Sequence, residues 1–297
     1  MAYLWILLVV CAELLNALVV LFDKYLVTKK FPHSVVYAFF VGALSSIVLV
    51  LIPTGKIFFP STKITILALL SGVTYIQAIV YLYKALRRVK DPADVVPVVG
   101  AAIAISTFIF SFFILKESLP SSFLLSSFFL ILGTLLTSHF SFKPKIFFYI
   151  FASGLALGLS SVFVKIVLAD TTFINGFFWS RIGNVFGALT LFFWPNNLRL
   201  IKEGFRQSSS GTKAMVVLGK VLAGVAAVLI LYTIKLSSAS LVNALVGLQY
   251  VFLLLFGFLF GKRFSEFVYS PKYSYEIFHK VISVSFIVAG FMLLFIH

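Results

Sequence analysis

Residues 3–22 of the chain are YLWILLVVCAELLNALVVLF. This stretch is about as long as a helix must be to cross ~30 Å of hydrocarbon, and Glu13 and Asn16 are its strongly polar side chains. No basic residue precedes it, as one would before a secretion signal, so we interpret it as part of the mature protein. A carboxyl group in the middle of a span is energetically costly, which makes Glu13 a candidate functional residue.

Similar apolar stretches recur along the whole chain. Of its 297 residues 61% are hydrophobic and 11% are charged, a composition that excludes a soluble globular domain. The stretches do not alternate in polarity as barrel strands do. We therefore predict an all-α integral membrane protein with ten transmembrane helices. The predicted spans are 2–23, 34–53, 64–83, 93–115, 121–140, 146–168, 173–194, 214–234, 239–260 and 281–296.

The positive charge of the chain is unevenly distributed between the two sides of the predicted bundle. Of its 24 Lys and Arg residues, 17 lie in the odd-numbered connections, five lie on the other side, and Arg181 and Lys220 lie within spans. By the positive-inside rule the richer side is cytoplasmic, which places both termini outside the cell membrane. Orientation and contact with lipid headgroups account for the net charge of +15. No basic motif predicts a nucleic-acid partner.

Two connections are long enough to consider separately. The stretch 195–213 contains Arg206-Gln207-Ser208-Ser209-Ser210-Gly211, and this polar composition predicts a flexible tether. The stretch 262–280 is similar in length, and its aromatic residues are suited to the headgroup region. The single Cys11 excludes an intramolecular disulfide.

The two halves of the chain are similar to each other. A shift of 141 residues places Lys24 on Lys165 and Gly42 on Gly183. Each half contains five predicted spans, and this odd number turns the second half upside down in the membrane. We therefore predict two inverted five-helix repeats, with a binding site between them near the midplane. The repeats are 1–142 and 143–297.

Several short motifs carry a family resemblance. Tyr83-Lys84-Ala85-Leu86 precedes a span containing Pro97, and Lys116-Glu117-Ser118-Leu119 follows that span. In the second half, Ser238-Ala239-Ser240-Leu241-Val242 and Gly261-Lys262-Arg263-Phe264 take the matching places. Together with the ten spans, these motifs resemble the EamA-type members of the drug/metabolite transporter superfamily. Two departures are that Lys262 stands where the family has an acid and that the ninth span lacks Pro.

Glu13 is the principal candidate residue. Ala12-Glu13 resembles the small multidrug resistance branch of the superfamily, which implies that this Glu binds a proton or a cationic substrate. Independently of that resemblance, burial favours the neutral acid, so Glu13 could take up and release a proton. The alternative is an ion pair with Lys220 or Arg181 that stabilises the bundle. Asn16 lies on the same helix face and could orient the carboxyl group or form an ordinary interhelical hydrogen bond.

The two basic residues within spans are also candidates. Lys220 could face a cavity or extend its ammonium group back to the interface. Arg181 lies deeper and should face the bundle interior, where it could bind an anionic substrate group or act as a counter-ion. The EamA resemblance implies an Arg at this place, and we include its neighbours Trp179 and Asn184.

The remaining candidates lie on the spans where the family places substrate contacts, and on the Pro-containing span. Each of them could equally well pack in the bundle with a satisfied hydrogen bond, and Pro97 could open the backbone or only bend the helix. These candidates are Tyr75, Gln77, Tyr81, Pro97, Asn243, Gln249 and Tyr250.

The sequence gives no indication of catalysis. It contains no paired carboxylates, metal-ligand spacing, phosphate loop or nucleophile elbow, so we predict neither an enzyme, a metal nor a cofactor. We expect a proton-coupled secondary transporter that moves a small organic metabolite or drug-like solute by alternating access. Its partners would be this solute, protons and membrane lipids, and nothing requires more than a monomer. The alternatives are a lipid-carrier flippase of the same superfamily and a membrane-embedded enzyme.

Overall fold

The computed structural model describes residues 4–31, 33–89, 92–117, 121–136, 143–260 and 274–293. Over these ranges the chain forms helices and no β-strand. Side chains that accept a backbone N–H mark several helix starts, as Ser61, Thr172 and Ser209 do. The α-helices are α1 Leu4–Tyr25, α2 Ser34–Leu44, α3 Thr62–Leu86, α4 Pro92–Phe110, α5 Ser121–Leu136, α6 Pro144–Ala169, α7 Phe173–Thr190, α8 Pro195–Gln207, α9 Ser210–Leu236, α10 Ala239–Ala244, α11 Gly247–Phe260 and α12 Ser274–Leu293.

Shorter helical turns of other geometry extend four of these helices. Leu26–Lys30 and Ser111–Leu115 are π-helical, and Ser45–Thr54 and Leu191–Phe193 are 3₁₀-helical. A Gly at φ 66° follows the longer 3₁₀ segment, and such a left-handed residue is a common helix ending. The irregular turns were not predicted from the apolar pattern, because periodicity does not distinguish them from the α-helix.

Among the described residues, seven helical segments are long and apolar enough to cross a membrane. Two shorter apolar helices, 123–136 and 278–293, accompany them. Large apolar side chains remain exposed on the outer surfaces, including Phe112, Phe113 and Phe128, as expected of helices that contact lipid. The seven segments are Leu4–Lys30, Ser34–Thr54, Thr62–Leu86, Asp94–Leu115, Pro144–Ala169, Ser210–Leu236 and Ala239–Gly257.

The predicted tether at 195–213 is wrong over most of its length, because Pro195–Gln207 forms α8. Leu198, Ile201 and Phe205 recur at intervals of three and four residues among polar ones, which is the spacing of an amphipathic helix. Ile201 is buried against the bundle. The high polar content of the segment concealed this period. The other long connection was predicted at 262–280, and its residues as far as 273 lie outside the described ones. The helix α12 begins within the predicted stretch, at Ser274.

Prolines and helix breaks do not coincide in these helices. The helix α4 continues through Pro97 without interruption. The predicted ninth span, which lacks Pro, is instead broken at Leu245 and Val246, between α10 and α11. Here the backbone makes i to i+3 hydrogen bonds, such as Leu245 N–H to the Val242 carbonyl at 3.2 Å. Proline was therefore a poor guide to where a helix opens in this protein.

The pairs of helices that pack along each other define the interior of the bundle. The helix α3 packs along α6 and α7, α4 packs along α6, α1 packs along α9, and α5 packs along α12. At the α3–α7 crossing the backbones touch, since a Cβ on Gly72 would lie 1.8 Å from the Gly183 carbonyl carbon. Small residues permit this approach. The other helices surround a central space.

Candidate functional site

A cavity of about 270 Å³ lies in the middle of the bundle. Its walls come from both halves of the chain, including α1, α3 and α4 from the first half and α6, α7, α9 and the α10–α11 break from the second. Most of the lining is apolar, and a few polar and charged side chains converge on it, which is typical of a small-molecule site. The sequence-predicted candidates in its walls are Glu13, Asn16, Tyr75, Arg181, Asn184, Lys220, Asn243 and Gln249.

Glu13 is almost completely buried in the wall formed by α1, with 1% of its surface exposed. Asn16 Nδ2 donates to Glu13 Oε2 at 3.3 Å, because residues three apart lie on one helix face. Neither Arg181 nor Lys220 forms an ion pair with Glu13. Within the described ranges, this acid therefore has a neutral hydrogen-bond partner and no cation in contact.

A second acid, Asp23, holds Lys220. Lys220 Nζ lies 2.8 Å from Asp23 Oδ1, and the hydroxyl groups of Tyr37 and Tyr83 donate to the two Asp23 oxygens at 2.5 and 2.8 Å. Lys220 also lies over the Tyr37 ring, 4.7 Å from its centroid. The ammonium group of Lys220 is thus fixed inside the bundle by partners on α1, α2 and α3.

Asp23 was missed in the sequence because it stands at the end of the first apolar stretch, beside Lys24. A signal was present nevertheless. Glu13, Asn16, Val20 and Asp23 are separated by three, four and three residues, a spacing that places them on one stripe of a helix. All four line the cavity. Helical spacing, applied past the apolar boundary, would have identified this acid.

Arg181 faces the cavity from α7. Its Nε has no hydrogen-bond partner within the described part of the chain, and its guanidinium lies 5.3 Å from the centroid of the Phe177 ring. Ser180 and Asn184 on the same helix also line the cavity. A guanidinium group whose donors are not all used is able to bind a carboxylate or phosphate group.

The break between α10 and α11 contributes an irregular wall. Asn243 lies just before it and donates to Thr107 Oγ1 at 3.0 Å, while Val246 and Gln249 line the cavity beside and after it. Irregular backbone at membrane depth is tolerated where it lines a cavity. The break therefore lies beside the cavity, with Asn243 before it and Gln249 after it.

The other candidates lie elsewhere. Trp179 Nε1 donates to the Phe58 carbonyl at 2.9 Å and so holds the connection before α3. Tyr250 is buried with 1% of its surface exposed, and Pro97 is buried within α4. Gln77 and Tyr81 line a separate pocket on the opposite face of α3 from the central cavity. No group of three His, Cys, Asp or Glu side chains suited to a metal occurs among the described residues.

Comparison with known proteins adds a fold likeness. No protein-family model and no curated protein matches the chain. A solved structure described as "Crystal structure of protein" is similar over 95% of this chain and 94% of that chain, with 17% identity and a TM-score of 0.62. At this level of identity the likeness concerns the fold alone.

Proposed function

We propose that this protein is a secondary active transporter that moves a small organic solute across a membrane by alternating access. The central cavity carries the proposal, because it lies between the halves of the chain and brings two acids and two bases together in an apolar surrounding. Charged side chains at that depth are costly and are retained chiefly where they serve a solute or ion pathway.

Ten spans in two inverted repeats are part of this proposal, with α5, α7 and α12 completing the set of membrane-crossing helices. The helix α1 packs along α9, and α6 packs along α3. This is the pairing expected if the first span corresponds to the sixth and the eighth span corresponds to the third. Two lysines at matched positions also make matched contacts. Each donates to two carbonyls at the end of a helix, Lys24 to Leu86 and Val89 and Lys165 to Ile234 and Ser237.

Unequal packing of two related interfaces supports alternating access. Under the proposed symmetry, the α3–α7 interface corresponds to the interface between α9 and α2. The backbones of α3 and α7 touch at Gly72 and Gly183, whereas α2 and α9 contact each other sparsely. Exchange of the tight and the loose interface would open the cavity to the other side, as rocking of repeats does in transporters of this type.

Glu13 and Arg181 have the chemistry for coupling and binding. Asp23 and Lys220 form an ion pair with each other, whereas Glu13 and Arg181, which also line the cavity, form no ion pair within the described residues and are the acid and the base that a solute could meet. If proton and solute compete for Glu13, the proton gradient drives the solute. This role agrees with the EamA-type resemblance. From the uneven distribution of basic residues we further propose that the protein lies in the cell membrane with both termini outside.

A lipid-carrier flippase would need a basic phosphate site that is continuous with the central cavity. The pocket that contains Gln77 and Tyr81 is also lined by Lys84, Arg87 and Arg88. This pocket and the central cavity contact opposite faces of α3, which argues against that alternative. No described cluster supports a membrane-embedded enzyme.

Transport in proteoliposomes tests the proposal. Purified protein would be reconstituted with an imposed pH gradient and offered a panel of radiolabelled metabolites and drug-like cations and anions. We expect gradient-dependent accumulation of at least one compound class, abolished by a protonophore. Accumulation no greater than in protein-free vesicles across the panel, from protein shown to be folded, would contradict the proposal.

A further inference from the structure

The helix α3 presents polar groups on two opposite faces. Tyr75, Ile79 and Tyr83 face the central cavity. Gln77, Tyr81, Lys84 and Arg88 face a second pocket of about 700 Å³, and their spacing of four, three and four residues forms one stripe of a helix. The second pocket, here called the lateral pocket, is therefore separate from the proposed solute site.

Aromatic rings hold two cations in one wall of the lateral pocket. Lys84 Nζ lies 5.3 Å from the centroid of the Tyr81 ring and 5.7 Å from that of Tyr149. The Arg88 guanidinium lies 5.0 Å from the Tyr149 centroid and donates to the Lys84 carbonyl at 2.8 Å. Cation–π contacts restrict both side chains without neutralising their charge.

The opposite wall supplies hydrogen-bond donors. His33 and Ser34 begin α2 there, and no side chain caps the start of that helix, so the partial positive charge of the helix N-terminus adds to that of the cations. Asn197 of α8 also faces the pocket. The described lining contains no acid.

Arg87 also lines the lateral pocket. Desolvation, and secondly the neighbouring Arg88, lower the pKa of Arg87 below its ordinary value. A bound anion would favour the charged form of Arg87. General attraction of surface lysines to a membrane explains scattered positive charge, but it does not explain cations that converge with a helix start on one concave space.

We propose that the lateral pocket binds a phosphate group, held by Lys84, Arg88 and the start of α2. The group could belong to an anionic lipid headgroup or to a free phosphate compound. Both sources share a tetrahedral anion that accepts charge-assisted hydrogen bonds. This site goes beyond the proposed transport and does not depend on it.

Thermal unfolding of the purified full chain in detergent tests the proposal. Phosphatidylglycerol, phosphatidylcholine and inorganic phosphate would be titrated separately onto wild type, onto K84Q with R88Q, and onto K143Q with K145Q. The second pair is the matched control, because it removes two exposed lysines outside the pocket lining. We expect apparent affinity for the bound anion to fall about tenfold or more in the pocket variant and to stay unchanged in the control.

The probes distinguish the sources. Stabilisation by phosphatidylglycerol but not by inorganic phosphate assigns a lipid headgroup, and stabilisation by inorganic phosphate assigns a free phosphate compound. Equal losses in both variants, or no response of wild type to either anion, would overturn the proposal. If the pocket variant does not fold, Gln77→Glu serves instead, because it adds a negative charge to the same wall and should weaken anion binding. Unchanged anion binding by that variant would also overturn the site.

Discussion

Lys220 Nζ lies 2.8 Å from Asp23 Oδ1 and joins α9 to α1 within the bundle, where about nine-tenths of each side chain is buried. Tyr37 and Tyr83 donate to the same carboxylate, so four helices meet at this acid. Because three donors contact Asp23, we assign it a structural role. We propose that Glu13, which has Asn16 as its hydrogen-bond partner, is the coupling acid.

This relationship predicts strong coupling between Asp23 and Lys220 in stability. Asp23→Asn or Lys220→Met alone leaves a buried charge without its partner, which should cost about 3 to 5 kcal/mol. The double variant should recover part of that loss, since it leaves neither charge. Unfolding midpoints of the four proteins in detergent measure the coupling.

The exposed pair of Arg199 and Glu203 provides the control. Its atoms lie 2.7 Å apart, with 79% and 45% of the side-chain surfaces exposed, so Arg199→Gln should leave the unfolding midpoint nearly unchanged, because solvent screens an exposed ion pair. Additive losses for Asp23 and Lys220 would show that the buried contact contributes little.

The pair of Asp23 and Lys220 illustrates how much of the site could be predicted from the sequence. A helix lies within each of the ten predicted apolar stretches, and seven of the described segments are long and apolar enough to cross a membrane. Most charged and amide candidates line the central cavity. Asp23 was missed because it is the last residue of the predicted first span, beside Lys24, where charged side chains are common. The face of α3 on which Gln77 and Tyr81 lie, and the break after Ala244, depend on packing between helices distant in sequence.

Close contact at Gly72 predicts a severe effect of a single added carbon. A Cβ there would lie 1.8 Å from the Gly183 carbonyl carbon, so Gly72→Ala must push α3 from α7 and should cost about 1 to 3 kcal/mol or more. Gly224→Ala is the control, because nothing lies within 4 Å of its added Cβ, and it should be neutral or stabilising by about 0.5 to 1 kcal/mol. Similar unfolding midpoints for the two variants would contradict the tight crossing.

Arg181 and Glu13 should interact through the cavity that they share. Glu13→Gln and Arg181→Gln should each lower stability, and the double variant should lose less than the sum, because opposite charges in an apolar cavity compensate each other at a distance. The coupling should be smaller than that of Asp23 with Lys220, which are in contact. A double-mutant cycle measures it, and strict additivity would show that the two side chains act independently.

Orientation follows from the 17 basic residues on one side and five on the other. With Cys11 replaced, a cysteine at Thr62 should react with an impermeant thiol reagent in intact cells, and a cysteine at Ser209 should react only after permeabilisation. The two positions lie at helix starts, Ser209 just before α9 and Thr62 as the first residue of α3. The reverse labelling pattern would place both termini in the cytoplasm.

Coupling to protons should depend on Glu13. Glu13→Gln keeps the shape of the side chain and its bond with Asn16 but cannot titrate, so it should abolish accumulation driven by a pH gradient while leaving some solute exchange. Glu13→Asp keeps a titratable group with a shorter reach and should shift the pH at which transport is half-maximal. The measurement compares wild type with both variants in proteoliposomes, using a compound that wild type accumulates.

Asn16→Ala separates titration from orientation, because it removes the hydrogen bond to Glu13 and retains the carboxyl group. This variant should remain gradient-driven with an altered pH profile, since the hydrogen bond from Asn16 favours the carboxylate over the acid. If Glu13→Gln accumulates the compound as well as wild type does, the proton must travel through another group. Glu13 would then be a buried structural acid held by Asn16, and the search for the coupling residue would move to Asp23, the other acid in the cavity wall.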